Sequence, residues 1–247
     1  MSELTGRVAL VTGATGGIGG AISRALARQG MRLFLTGRDG ARLEELSLRT
    51  LQHAPTVEVH QADLERDAEL FAMASRVEET FGGVDVLVHA VGLFRAGPVE
   101  SAPVVDLDRQ YRVNVRLPYL LTQTLLPSLA ERRGQVVFIN SSAGHHTARR
   151  TVGAYAATKH ALRALADSLR EEAAPRGIRV LSVYPGRTAT PMQEEVHRIE
   201  GKPYTPERLL QPEDVAAAVV QALTLPRTAQ MTDLQIGPMR PLPPIGS

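Results

Sequence analysis

Short apolar runs alternate along the chain with longer amphipathic ones. The short runs predict strands at Arg7–Thr12, Arg32–Thr36, Val57–His60, Val84–Ala90, Gln135–Asn140, Arg179–Tyr184 and Asp233–Ile236. The longer runs, with apolar residues at helical spacing, predict helices at Gly17–Gln29, Ala41–Leu51, Ala68–Phe81, Val104–Arg132, Ala154–Ala174 and Pro212–Leu223. Strands that alternate with helices in this way form parallel sheets. Val8-Ala9-Leu10-Val11 and the run from Val84 to Val88 are almost uninterrupted apolar segments, as expected of strands covered on both faces. The expectation is an α/β fold. Two segments break the rhythm: a polar loop at His145–Val152, and a polar stretch at Gln193–Gln211 holding Gly201, Pro203 and Pro206. A long irregular stretch in a compact domain is usually functional or mobile, so 193–211 is read as a lid. The proline-rich tail Pro238–Ser247 is expected to run over the surface.

With 247 residues, 43% of them hydrophobic, the chain has enough apolar material for a sizeable core. No repeat or linker divides it, and one domain over 1–247 is expected. The absence of cysteine removes disulfides, thiol nucleophiles and thiolate-held metals. The 28 basic and 26 acidic side chains give a formal charge of +2, and they are interspersed. That pattern reads as a mixed solvated surface and not as a nucleic-acid footprint. The first residues lack a basic segment followed by an apolar one, and no apolar run approaches the roughly 20 residues of a membrane span. A cytoplasmic protein with no membrane partner is expected.

Candidate chemistry begins at Thr12-Gly13-Ala14-Thr15-Gly16-Gly17-Ile18-Gly19, between the first strand and the first helix. Glycines let the backbone turn tightly and approach a pyrophosphate, and the helix N-terminus then offers unpaired N–H groups. The spacing is neither the usual dinucleotide G-x-G-x-x-G nor an ATPase G-K-[ST] loop. The second strand ends Thr36-Gly37-Arg38-Asp39. Gly37 leaves room there, and the Arg38 fork suits a ribose 2′-phosphate, which favours NADP(H) with NAD(H) as the alternative. Asp39 either holds the ribose or caps the next helix.

Tyr155 and Lys159 stand four apart, hence on one helix face, and Ser142 lies thirteen residues before the tyrosine. A free tyrosine, with a pKa of about 10, is a poor base at neutral pH. A nearby ammonium is expected to lower that pKa, fitting the phenol to exchange a proton with a carbonyl or alcohol oxygen. Ser142 is placed to bind the same oxygen.

Taken in order, the Thr12–Gly19 loop, Asp63-Leu64, Asn114, Ser142, Tyr155-x-x-x-Lys159, and Pro185-Gly186 followed by Thr188 and Thr190 resemble the short-chain dehydrogenase/reductase family over nearly the whole chain. The resemblance implies a Rossmann-like, doubly wound sheet of seven parallel strands with helices on both faces. It implies hydride transfer between a nicotinamide cofactor and a small carbonyl or secondary alcohol. It also implies a tetrad of Asn114, Ser142, Tyr155 and Lys159. In that picture Tyr155 is the acid or base, Ser142 steadies the substrate oxygen, Lys159 also holds the nicotinamide ribose, and Asn114 kinks its helix for a proton relay. Cofactor contacts carried over in the same way are Gly13, Thr15, Gly16, Gly17, Ile18, Gly19, Arg38, Asp63, Leu64, Ala90, Gly92, Pro185, Gly186, Thr188 and Thr190. Asp63 and Leu64 fall at the adenine, and the Thr188 backbone and Thr190 hydroxyl at the carboxamide. The family also implies a homo-oligomer, dimer or tetramer, and the small residues of Ala154–Ala174 suit close packing inside the subunit or against a partner.

The chain departs from the family at His89-Ala90-Val91-Gly92, where Asn-Asn-Ala-Gly is usual. His89 is read as a hydrogen-bonded structural histidine. Phe94, the loop after Ser142 and the 193–211 segment are expected to line the substrate pocket, with Arg149, Arg150, Arg187 and Lys202 as candidate receptors for a carboxylate or phosphate. His145 and His146 are adjacent and lack a third ligand of obvious spacing, so no metal is assigned. Two other classes compete. A nucleotide-sensing regulator or scaffold would tolerate Tyr155→Phe. A serine hydrolase using Ser142 lacks the G-x-S-x-G elbow.

Overall fold

A computed structural model describes residues 3–145 and 151–239. Seven parallel strands form one sheet: β1 (Val8–Thr12), β2 (Arg32–Gly37), β3 (Val57–Gln61), β4 (Val86–His89), β5 (Gln135–Ile139), β6 (Arg179–Pro185) and β7 (Asp233–Ile236). Their spatial order is β3-β2-β1-β4-β5-β6-β7. The helices are α1 (Gly17–Arg28), α2 (Gly40–Thr50), α3 (Asp67–Phe81), α4 (Val104–Tyr111), α5 (Leu117–Glu131), α6 (Gly153–Ala173), α7 (Pro191–Ile199) and α8 (Pro212–Leu223). The doubly wound α/β expectation holds, and each predicted strand is present to within two residues at either end.

Side chains of a strand alternate between faces, so each apolar strand feeds two cores. On one face Ala9, Val11 and Leu33 pack with Ile22 and Leu26 of α1 and Val215 and Val219 of α8. On the other, Leu10, Phe34, Leu87 and Phe138 pack with Val77 of α3, Leu121 and Leu125 of α5, and Leu162 of α6. Each fully buried Leu or Phe stabilises the fold by roughly 1.5–3 kcal/mol. The chain runs outward from β1 to β3, then returns to place β4 on the other side of β1. At that reversal the loops leaving β1 and β4 diverge and open a crevice at the carboxyl ends of the strands, where open α/β sheets bind ligands.

Two predicted elements need correction. The single helix expected over Val104–Arg132 is α4 and α5 joined by a π-helical turn, Arg112–Arg116. Pro118 explains the break. Proline has no N–H to offer the carbonyl four residues back, which is that of Asn114, and its ring crowds that carbonyl. The Leu117 N–H reaches back five residues to the Arg112 carbonyl instead. The stretch 193–211, read as irregular, holds most of α7. Thr190 caps that helix by accepting the Gln193 N–H at 3.2 Å, Pro191 occupies its first turn, and Gly201 at φ 65° ends it.

Candidate active site

One cleft of about 570 Å³ runs along the carboxyl edge of the sheet, from Arg38 and Asp63 at one end to Tyr155 and Met192 at the other. Every residue expected to bind the cofactor lines it, as do Ser142, Tyr155 and Lys159; Asn114 lies just behind the wall.

The glycine turn is tight enough to require its glycines. Gly13 has φ 66°, and a Cβ there would lie 2.8 Å from the Ala90 carbonyl oxygen. A Cβ at Gly19 would overlap the Gly13 carbonyl, and one at Gly17 would meet the Thr190 methyl at 2.7 Å. The Gly16 N-cap of α1 has no side chain to cap the helix, and no carboxylate occupies its first turn. The first N–H groups of α1 therefore face a cleft lined by glycine, an arrangement that fits a pyrophosphate.

At the second-strand end, Arg38 is largely exposed, with Nη1 3.8 Å from Glu65 Oε1. Glu65 is itself held by two hydrogen bonds from Arg109 of α4, at 3.1 and 3.0 Å. Asp39 caps α2, accepting the Arg42 N–H at 3.1 Å; of its two expected roles, this is the one seen. Arg42 and Glu65 also line the cleft, and neither was singled out in the sequence. Arg42 stands four residues after Arg38, and that spacing was the available signal. The Thr15 side chain lies against Gly37, where a Cβ would come within 2.9 Å of Thr15 Oγ1. Asp63 Oδ1 accepts the Glu65 N–H at 3.2 Å, and Leu64 is buried beside it.

At the far end, α6 carries Tyr155 and Lys159, and the π turn carries Asn114. The Asn114 side chain clamps the loop after β4: Oδ1 accepts the Leu93 N–H at 2.8 Å and Nδ2 donates to the Leu93 carbonyl at 2.9 Å. Nδ2 also reaches Thr158 Oγ1 at 3.0 Å, and Thr158 donates to the Tyr155 carbonyl at 2.8 Å. The buried Lys159 donates from Nζ to the Ile139 carbonyl at 3.1 Å. Gly92 stands opposite: a Cβ there would come within about 4 Å of both Asn114 Oδ1 and Lys159 Nζ. Phe94 packs its edge on the Tyr155 ring, with centroids 5.1 Å apart.

Ser141 and Ser142 both line the cleft that holds Tyr155. Ser141 is extended and caps a short 3-10 turn over Ser142–Gly144, accepting the Ala143 N–H at 3.2 Å. Ser142 is the first residue inside that turn and lines the same cleft.

The electrostatics also differ from expectation. Burial pushes the Tyr155 phenol above its ordinary value, and the Ser141 hydrogen bond offsets this only in part. The Lys159 Nζ lies 5.8 Å from the ring centroid, and burial drops its own pKa to about 8. The expected cation effect is overridden by desolvation. Tyr155 is therefore protonated at neutral pH.

Thr188 is buried and donates from Oγ1 to the Gly186 carbonyl at 3.1 Å. The Thr190 hydroxyl donates to the Thr188 carbonyl at 3.3 Å while capping α7, so it is engaged in structure. Arg187 and Lys202 both bind Glu200, Arg187 through Nη2 at 2.6 and 2.7 Å and Lys202 at 3.0 Å. His146, Arg149 and Arg150 lie outside the described residues. His89 is buried, stacked on Phe138 at 4.9 Å and 10°, with Nε2 2.9 Å from Thr122 Oγ1; burial lowers its pKa to about 3. Among the described residues no three His, Asp or Glu side chains are grouped to hold a metal, and no helix is long and apolar enough to cross a membrane.

The model of the short chain dehydrogenase family matches residues 7–201, and the chain belongs to that family. It is 30% identical over 241 residues to an uncharacterized oxidoreductase of Staphylococcus saprophyticus, covering 97% of this chain and all of the relative. It is 32% identical over 250 residues to dehydrogenase/reductase SDR family member 11 of Homo sapiens, covering 96% of each. Among solved structures, an alcohol dehydrogenase from the archaeon Thermococcus sibiricus complexed with 5-hydroxy-NADP superposes with a TM-score of 0.85 at 30% identity, covering 96% of this chain and 98% of that one. A levodione reductase superposes with a TM-score of 0.86 at 27% identity, covering 95% and 97%. The protein is thus an oxidoreductase of the class that acts on CH–OH groups.

Proposed function

We propose that the protein is an NADP(H)-dependent reductase of small ketones, aldehydes or keto esters, running in reverse on secondary alcohols. The observation that carries this reading is that Tyr155, Lys159 and Ser142 share one cleft with a glycine turn shaped for a pyrophosphate. When bound, the nicotinamide supplies or accepts the hydride. The α1 N-terminus and Gly13–Gly19 would hold the pyrophosphate, and Asp63 and Leu64 the adenine. Arg38 and Arg42 would flank a 2′-phosphate. Gly92, Lys159, Pro185, Gly186 and the Thr188 backbone would bound the nicotinamide riboside.

The substrate oxygen would sit against the hydroxyls of Ser142 and Tyr155. In reduction, Tyr155 gives its proton to the alkoxide that forms, and Ser142 donates a hydrogen bond to the same oxygen, favouring its negative charge. Lys159, with its Nζ 5.8 Å from the Tyr155 ring centroid, is the cation behind the phenol. Asn114 keeps the Leu93 loop and α6 in register with each other. The exposed apolar row Val104, Val105, Leu107, Tyr111 and Tyr119 on α4 and α5 supports a homo-oligomer, which sedimentation would measure.

The test is absorbance at the reduced-nicotinamide band. NADPH and NADH are run side by side against a panel of ketones, aldehydes and keto esters, with Tyr155→Phe as control. Turnover that favours NADPH and is lost in the variant is the expected result. Turnover that survives in Tyr155→Phe sinks the reading.

A further inference from the structure

Arg187 lines the cleft directly after Pro185-Gly186, in the same cavity as Tyr155. A guanidinium there is the receptor that a substrate with its own carboxylate or phosphate would need. It is already filled. Both oxygens of Glu200, at the end of α7, accept from Arg187 Nη2 at 2.6 and 2.7 Å. Lys202 adds a third bond at 3.0 Å, and the two cations hold the Glu200 carboxyl well below its usual range, at about 2. Each partner of the Arg187–Glu200 pair is about three-quarters buried, so the pair is shielded from water and from salt.

The surrounding wall matches a neutral ligand. Leu93, Phe94, Val152, Met192 and Val196 line this end of the cleft. The polar side chain between them, Gln193, lies 3.1 Å from His197 Nδ1. His197 in turn lies 3.4 Å from Arg187 Nη1. Gln193 is thus engaged by His197, while Met192 and Val196 of α7 line the cleft.

We propose that Glu200 is a specificity-determining residue: it occupies Arg187 with the chain's own carboxylate, so that the cleft takes uncharged carbonyl compounds with an apolar body and turns away those carrying an acid group. This rests on the reductase reading above. An anionic substrate would have to displace Glu200 or lie beside it, and either is unfavourable when the carboxylate is locked to a shielded guanidinium.

The experiment uses two ketones of equal length, 2-octanone and 7-oxooctanoate, and reads the ratio of their kcat/KM values. The wild type is expected to favour 2-octanone. Glu200→Gln keeps the shape and removes the charge, freeing Arg187 and Lys202, and should raise the 7-oxooctanoate to 2-octanone ratio roughly 10- to 100-fold. Adding Arg187→Met to that variant should take the gain away. Octanoate should raise the melting temperature of Glu200→Gln and leave that of the wild type unmoved. If Glu200→Gln does not fold, Glu200→Asp, with its shorter reach, should show a smaller rise in the same ratio.

A purely structural Glu200 would depress both ketones alike, and an unchanged ratio in a folded variant overturns the proposal. A wild type that favours 7-oxooctanoate overturns it too. Absence of turnover with every carbonyl compound overturns the reductase reading and this proposal together, so the two failures are distinguishable.

Discussion

At the Tyr155 end of the cleft, polar groups are buried and each is tied to a different element. Asn114 joins the π turn to the loop after β4 and to α6, and Lys159 joins α6 to β5. At the Arg38 end, the arginines are exposed and share partners: Arg38 and Arg109 both face Glu65, and Arg42 faces Asp39. A buried hydrogen-bonded group is costly to misplace, so the first end is built to one geometry. Exposed ion pairs are worth little and exchange easily, so the second end is adjustable and suits recognition that differs by one phosphate. On the proposed function, chemistry belongs at the first and nucleotide choice at the second.

The sharpest break of that division is Tyr155→Phe. Deleting one hydroxyl should lower kcat by roughly 10²- to 10⁴-fold. Nucleotide affinity, read by fluorescence titration, should move by less than about threefold. A comparable loss of affinity would mean that the two ends are not separable. Next in size is the serine pair. Ser142→Ala should cost roughly 10²- to 10³-fold in kcat, as for a lost oxyanion donor, while Ser141→Ala should cost less. A larger loss at Ser141 would move the role to that residue.

The two ends also differ in how far the chain alone could be read. All seven strands and the glycine turn were legible, because uninterrupted apolar runs and glycine-rich junctions report local requirements. Tyr155 and Lys159 were legible because four residues on a helix make one face. Glu65 was hidden because its partners Arg109 and Arg38 are 44 and 27 residues away. α7 was missed although its signals were present: Thr190-Pro191 at the start, Met192, Val196 and Ile199 at helical spacing, and Gly201 at the stop. The expected lowering of the Tyr155 pKa failed because spacing shows a neighbour and not its burial.

At the adjustable end, Arg38→Ala should reduce the preference for NADPH over NADH roughly 10- to 100-fold through the KM for NADPH, leaving kcat with NADH nearly unchanged. Arg42→Ala should act in the same direction and by less, because Asp39 already engages it. A variant that loses NADH and NADPH equally would show that these arginines shape the fold of the loop and do not read the phosphate.

The smallest effect tests whether the buried end owes its rigidity partly to a neutral group. His89 ends β4, where it stacks on Phe138 and meets Thr122, and burial holds its folded pKa at about 3 against an ordinary value of 6.5. Between those two pH values the unfolded chain binds a proton that the folded chain refuses. Stability from this group is therefore complete above pH 6.5 and declines as pH falls toward 3, with a limiting slope of about 1.4 kcal/mol per pH unit. His89→Asn keeps a side chain able to bond Thr122 and removes the titration. Denaturant unfolding at steps from pH 7 to pH 4 should give a shallower loss of stability in the variant than in the wild type, with the carboxylates, common to both, cancelling in the difference. Equal slopes would mean that His89 accepts its proton in the folded state. The strand end would then be open to water, and the contrast between a closed chemical end and an open nucleotide end would not hold.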